Sequence, residues 1–229
     1  MKYDGVKMDK RGYVQTARAA ASEETKGRIL AAARASLQRG PLGALKVEEV
    51  ARDAGVSRST VYLLYGSRAG LIDSLAREVA QESGFDRLVT AFALPDAREA
   101  LMSAQRMSIE MYAKMPDVSR ALYVLRTVDP DAVKAVDGLE SGRRWGQADL
   151  ARRLSEQGYL RDGMSVEEAT DILTVLSSFT TFDELFGGSG LPVDVVADRI
   201  AAMTERSVLR PTGRRRPGSP RRAGGRSPA

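Results

Sequence analysis

The sequence predicts an all-α protein in which a small three-helix N-terminal domain is joined to a larger helical domain. Three observations carry that prediction. Apolar residues recur at helical spacing in almost every patterned stretch, without the sustained alternation of a half-buried strand. Serines suited to starting helices, and glycines and prolines suited to ending them, punctuate those stretches. Finally, 229 residues with 43% hydrophobic content suit a folded chain with room for a small domain attached to a larger one.

In chain order, Ser22 followed by Glu23 and Glu24 is expected to open a helix, with acids where the helix N-terminus is positive. Ile29, Leu30, Ala33 and Leu37 form its apolar face, and Gly40-Pro41 its stop. The preceding residues 1–22 read as a flexible basic arm. A short helix over Val47–Ala54 ends at Gly55, Ser57 opens a third, and Ser67 caps a fourth bearing Leu71, Leu75 and Val79, interrupted or ended by Gly84. A helix from beyond Pro95 runs to about Met115, where Pro116 ends it. Shorter segments are expected over Val118–Val128 and Asp131–Leu139, then a longer helix around Trp145, Leu150 and Leu154 closed by Gly158. One helix from about Val166 to Phe186 and another from near Pro192 complete the folded part. Residues 210–229 are almost wholly Arg, Gly, Pro and Ser, a composition with nothing to bury, and read as a disordered tail.

The composition also excludes chemistry. No cysteine and no histidine occur, so Ser-His-Asp and Cys-His catalysis and the usual zinc sites are impossible. A non-enzyme with neither metal nor cofactor is expected. No signal-peptide pattern and no membrane-spanning apolar run is present, so no membrane contact and a cytoplasmic location are expected. Charge is unevenly spread: residues 69–209 hold twenty-three acids against fifteen bases, whereas residues 210–229 hold seven arginines and no acid. A polyanion would meet the ends, and not the middle. The arginine tail is either a non-specific phosphate anchor or a solvated tail.

The stretch LKVEEVARDAGVSRSTVYLLYGSRAGLIDSL, residues 45–75, carries the functional reading. A helix-turn-helix needs a short helix, a tight turn with glycine where φ is positive, and a second helix a few residues on. Here Ala54 permits a close crossing, Gly55 makes the turn and Val56 plugs the core. Ser57 caps the second helix, whose first turn offers Arg58, Ser59 and Thr60 as donors to base edges or phosphates. Tyr62 offers a hydroxyl to phosphate. Arg68 opens the next helix, where its side chain and free N–H groups can hold another phosphate.

This segment resembles the DNA-binding domain of the tetracycline-repressor (TetR) family. The resemblance rests on Val50-Ala51, Ala54-Gly55-Val56-Ser57, Thr60, Tyr62, Tyr65, Ser67, Arg68 and Leu71, with Gly40 in the preceding connection. It departs at Lys46, where the family carries a capping threonine, at Leu64, where histidine or tyrosine is frequent, and at Ala69-Gly70, where acids are common. The resemblance implies a DNA-binding domain over 23–83 (helix-turn-helix about 46–65) and a ligand-binding and dimerisation domain over 84–209. It also implies a homodimer that represses transcription until a small-molecule inducer releases it from a near-palindromic double-stranded DNA operator. An activator, a ligand-independent regulator or a helical protein-interaction module addressed to DNA are the alternatives. Candidate DNA contacts are Lys46, Ser57, Arg58, Ser59, Thr60, Tyr62 and Arg68. Met107, Met111, Tyr112, Trp145, Phe179 and Phe182 are candidates for a ligand pocket. Leu176, Phe179, Ile200 and Met203 are candidates for the dimer contact.

Overall fold

Serine and aspartate side chains write most of the helix starts in this chain. In a computed structural model describing residues 10–39 and 45–211, the side chains of Ser57, Ser67, Asp96, Asp129, Ser165 and Ser178 accept from the backbone N–H of Thr60, Gly70, Glu99, Asp131, Glu168 and Thr181. Each satisfies a donor that the first helical turn leaves unpaired. The helices are α1 (Lys10–Gln38), α2 (Val47–Asp53), α3 (Arg58–Tyr65), α4 (Arg68–Ser83), α5 (Phe85–Phe92), α6 (Ala97–Lys114), α7 (Pro116–Val128), α8 (Pro130–Glu156), α9 (Val166–Leu176), α10 (Phe179–Asp183) and α11 (Val193–Val208). A π-turn, Glu184–Gly188, follows α10. Among the described residues the one extended pairing is an isolated bridge between Leu160 and Leu209. No described helix is long and apolar enough to cross a membrane.

Three elements differ from expectation. Helix α1 begins at Lys10, so residues 10–22 continue the helix instead of forming a flexible arm. The run Ala17–Ala21 holds four of the strongest helix-forming residues, and Thr25 donates back to the Ala21 carbonyl rather than breaking the ladder. The expected segments around Asp131–Leu139 and Trp145 are a single helix, α8. Its glycines Gly138 and Gly142 cost roughly 1 kcal/mol each, less than burial of Ala135, Val136, Leu150 and Leu154 on the same helix returns. Conversely, the expected Val166–Phe186 helix breaks after Leu176. Ser178 donates to the Val175 carbonyl and accepts from Thr181 N–H, a local alternative to the helical ladder. The first nine residues, the Gly40-Pro41 stop and the tail from residue 212 lie outside the described residues.

The buried side chains form three clusters. The first joins α1–α4 to α7 and the start of α8 through Ile29, Leu37, Val50, Leu71, Leu75, Leu122, Leu125 and Val136. A second packs α5, α6, the end of α8 and α9, and is closed by Leu160 and Leu209. The third gathers Ile109, Phe179, Phe182, Val196, Ala197 and Ile200. The helix-turn-helix therefore shares its core with the larger domain.

Two glycines have opposite meanings. A Cβ on Gly70 would lie 2.1 Å from the Tyr65 carbonyl oxygen, so α4 can approach the end of α3 only without a side chain there. A Cβ on Gly138 would meet nothing within 4 Å. Gly70→Ala is expected to destabilise the protein by about 1–3 kcal/mol, the ordinary cost of forcing atoms into packed space. Gly138→Ala is expected to stabilise it by roughly 0.5–1 kcal/mol. Denaturant unfolding of both variants checks the pair.

Candidate nucleic-acid interface

The turn between α2 and α3 is set by small residues. Ala54 is buried, Gly55 has φ +66°, and Val56 N–H donates to the Ala51 carbonyl at 2.9 Å. Ser57 is extended, and its Oγ accepts from Thr60 N–H at 3.1 Å while lying 2.7 Å from Ser59 Oγ and 2.8 Å from Thr60 Oγ1. Three hydroxyls thus crowd the start of α3. Val61 is buried, and Leu64 and Tyr65 pack against the first core, leaving Arg58, Ser59, Tyr62 and Leu63 outward.

Among the residues expected to touch DNA, Ser57, Arg58, Ser59, Thr60 and Tyr62 fall on or beside one exposed face, with Lys46 at the start of α2. Arg58 pairs with Glu48 at 3.0 Å, both side chains more than half exposed, and Lys46 pairs with Glu49 at 3.1 Å. Exposed pairs of this kind are weak, so a phosphate or a base edge can replace either carboxylate. Tyr65, which in the resembling family stands at a core aromatic, is half-buried against the first core: its hydroxyl donates to the Lys26 carbonyl at 3.0 Å, and burial pushes its pKa up to about 12.

Arg68 requires a correction. Its Nε donates to the Leu45 carbonyl at 2.7 Å, and its Nη1 donates to Asp129 Oδ1 at 2.9 Å and Asp131 Oδ2 at 3.0 Å, with Nη2 on the other Asp129 oxygen. All three guanidinium nitrogens are committed inside the protein, so Arg68 locks α4 to the start of α8 and is not a free phosphate ligand. The lock joins residues more than sixty positions apart, which no local pattern reveals. Leu63, 84% exposed on the outward face, adds an apolar side chain beside these donors, one that carries no sequence signal for DNA contact.

Away from this face, Tyr112, Phe179 and Phe182 come together with ring centroids 5.4–6.0 Å apart, joined by Tyr123 stacked on Phe179 at 4.9 Å. Met107 and Met111 pack instead against the second cluster. Trp145 does not join the ring group: it is 76% exposed on α8, because the inward face of that turn is taken by Gly146 and Gln147. Sequence reasoning missed the polar partners of the ring group. Tyr123 donates to Glu140, and Arg143 bonds Glu140, the Thr174 carbonyl and Ser177 Oγ. Burial raises the pKa of both Tyr112 and Tyr123. Phe179 and Ile200, expected at a dimer contact, are buried in the protomer's own third cluster, and Leu176 and Met203 pack partly against it. For Phe179 and Ile200 the helical spacing therefore marks an inner face, whereas Leu176 and Met203 stay half-buried at its edge. Arg210, the first arginine of the basic tail, is held to Asp162 at 2.6 Å. Among the described residues no cluster of potential metal ligands occurs.

Residues 29–75 match the family model described as bacterial regulatory proteins, tetR family. No curated protein sequence matches the chain. Among solved structures, the fold is similar to NalD of Pseudomonas aeruginosa, the secondary repressor of the MexAB-OprM multidrug efflux pump. That likeness has TM-score 0.68 at 21% identity and covers 84% of this chain and all of NalD. A TetR-family regulator from Rhodococcus sp. gives 0.62 at 17% identity, covering 80% of this chain and 98% of that one. A transcriptional regulator from Saccharomonospora viridis in complex with choline gives 0.61 at 19%, covering 82% and 100%.

The Arg68 lock has a pH signature. Hydrogen bonding from Arg68, helped by the Asp131 and Ala132 N–H groups and opposed by desolvation, holds the Asp129 carboxyl below its ordinary pKa. A depressed carboxyl contributes stability that is complete above its unfolded pKa of about 3.9 and is lost as pH falls through the lower folded value. Wild-type stability is therefore expected to fall as pH drops below about 4 by more than that of Asp129→Asn, which lacks the titrating group. Thermal melting at pH 7 and at acid pH measures the difference.

Proposed function

We propose that this chain is a TetR-family DNA-binding transcription regulator that represses, and that leaves its operator when a small molecule binds the helical C-terminal domain; the family-model match over residues 29–75 supports the reading. The observation that carries the DNA half of this reading is the outward face of α3, where Arg58, Ser59 and Tyr62 stand exposed beside the Ser57 and Thr60 hydroxyls on a rigid turn. As a homodimer working in the cytoplasm, it presents two such helices to successive major grooves about 34–36 Å apart on a near-palindromic operator. Lys46, from the start of α2, supplies a phosphate contact.

The release half rests on two polar nodes along α8. At its start, Asp129 and Asp131 hold Arg68, which opens the helix that follows α3. Further along, Glu140 and Arg143 tie α8 to Tyr123 of α7 and to α9, beside the Tyr112, Phe179 and Phe182 rings. A small molecule with an apolar face for those rings and a group that competes for Glu140 or Arg143 shifts α7 and α8, and the Arg68 lock carries that shift to α3.

Selection of bound sequences from a random DNA pool tests this reading directly. Enrichment of a two-fold symmetric site is expected; no enrichment overturns it. On the selected site, Arg58→Ala is expected to weaken binding by roughly ten- to a hundred-fold, corresponding to about 1–3 kcal/mol for a lost base contact. Tyr62→Phe should weaken selected and random DNA alike, as loss of a phosphate contact does. Sedimentation is expected to give a dimer at micromolar concentration; a monomer there removes the basis for a symmetric operator.

A further inference from the structure

We propose that Leu63 is a specificity-determining residue that reads the C5-methyl group of a thymine in each operator half-site. The inference rests on α3 being the helix that enters the major groove, and it goes further by naming an apolar contact within a polar face.

Leu63 is 84% exposed, the most exposed of the large apolar side chains among the described residues. It belongs to none of the three hydrophobic clusters, while its neighbours Val61, Leu64 and Tyr65 all face the first core. Among the described residues it thus has no partner in the hydrophobic core. Single exposed leucines are ordinary on protein surfaces, so its position is what matters. Ser59, Tyr62 and Leu63, all exposed, are spaced to share one stripe of α3, with Arg58 at the stripe's N-terminal edge. Leu63 therefore closes the C-terminal end of the surface that faces DNA.

At base edges in the major groove, adenine, guanine and cytosine present only hydrogen-bond donors and acceptors, and thymine alone adds an apolar group. A leucine pressed against donors and acceptors would strip their water and return no hydrogen bond. Against a thymine methyl both surfaces leave water together. Leu63 lies five residues beyond Arg58, a rise of about 7.5 Å along the helix. Two base-pair steps of 3.4 Å span nearly that distance. The thymine is accordingly placed about two base pairs from the position that Arg58 contacts.

The test removes only the methyl. In the selected operator each thymine is replaced in turn by deoxyuridine, symmetrically in both half-sites, and affinity is measured for the full-length wild type and for Leu63→Ala. Exposed as it is, Leu63 can be shortened without disturbing the core, and a melting curve verifies this. Burial of one methyl-sized group is worth about fourfold in affinity, so a symmetric replacement costs the wild type about fifteenfold at one position. Leu63→Ala is expected to bind the thymine operator more weakly and to be indifferent to deoxyuridine at that position. The proposal is overturned if no thymine methyl matters to the wild type, or if Leu63→Ala loses as much as the wild type on deoxyuridine. It is also overturned if Leu63→Ala weakens operator and random DNA equally, which marks a contact with sugar carbons. A wild type that selects no sequence at all overturns the reading of α3 itself, and is distinguished at the selection step.

Discussion

Arg68 holds together three segments that the sequence keeps apart. Its guanidinium reaches the Leu45 carbonyl ahead of α2, both oxygens of Asp129 and one of Asp131, while its backbone opens α4. Asp129 does two jobs with one carboxylate, accepting from Arg68 and capping α8 through Asp131 N–H. A lysine could supply the charge but not the planar fork that serves a carbonyl and two carboxylates at once. The position of α3 depends on this junction, because α3 is suspended between α2, whose entry Arg68 holds, and α4, which Arg68 begins.

The same geometry links the ring group deep in the helical domain to the elements that carry α3, as the proposed release requires. Helix α8 is continuous from the residues that hold Arg68 to those that hold Glu140, Arg143 and the rings. A helix resists bending far more than it resists moving as a unit, so the two ends respond together. Tyr123 on α7 is bonded to Glu140, and α7 in turn contributes Leu122 and Leu125 to the core beneath the helix-turn-helix. Two parallel links therefore run from the ring group to the DNA-facing helix, one polar and one apolar.

Much of the architecture was legible in the sequence because its determinants are local. Ser57 and Ser67 cap the helices they were expected to cap, Gly55 adopts the positive φ the turn demands, and Pro116 separates α6 from α7. What escaped was non-local. Periodicity in α9, α10 and α11 shows that one face is apolar but not what covers it, so Phe179 and Ile200 read as candidates for a dimer contact and are covered within the protomer. Composition marks Trp145 as a large apolar residue, yet only the packing around Gly146, whose missing side chain admits the Phe92 ring, decides which face of α8 is buried. The partners of Arg68 and Arg143 are likewise fixed by tertiary structure. Gly70, in the sequence a departure from the acids common in the resembling family, is required by the close approach of the Tyr65 carbonyl.

The first hydrophobic cluster does not stop where the helix-turn-helix ends. Leu122, Leu125, Ala132 and Val136, from α7 and the first turns of α8, complete the floor on which α1 and α4 rest. A reading head cut from this chain after α4 would carry an uncovered apolar underside and a guanidinium stripped of its carboxylates. Exchange of heads between relatives, the natural route to a regulator with new DNA specificity, therefore has to move these later helices as part of the cassette or remake their contact surface residue by residue.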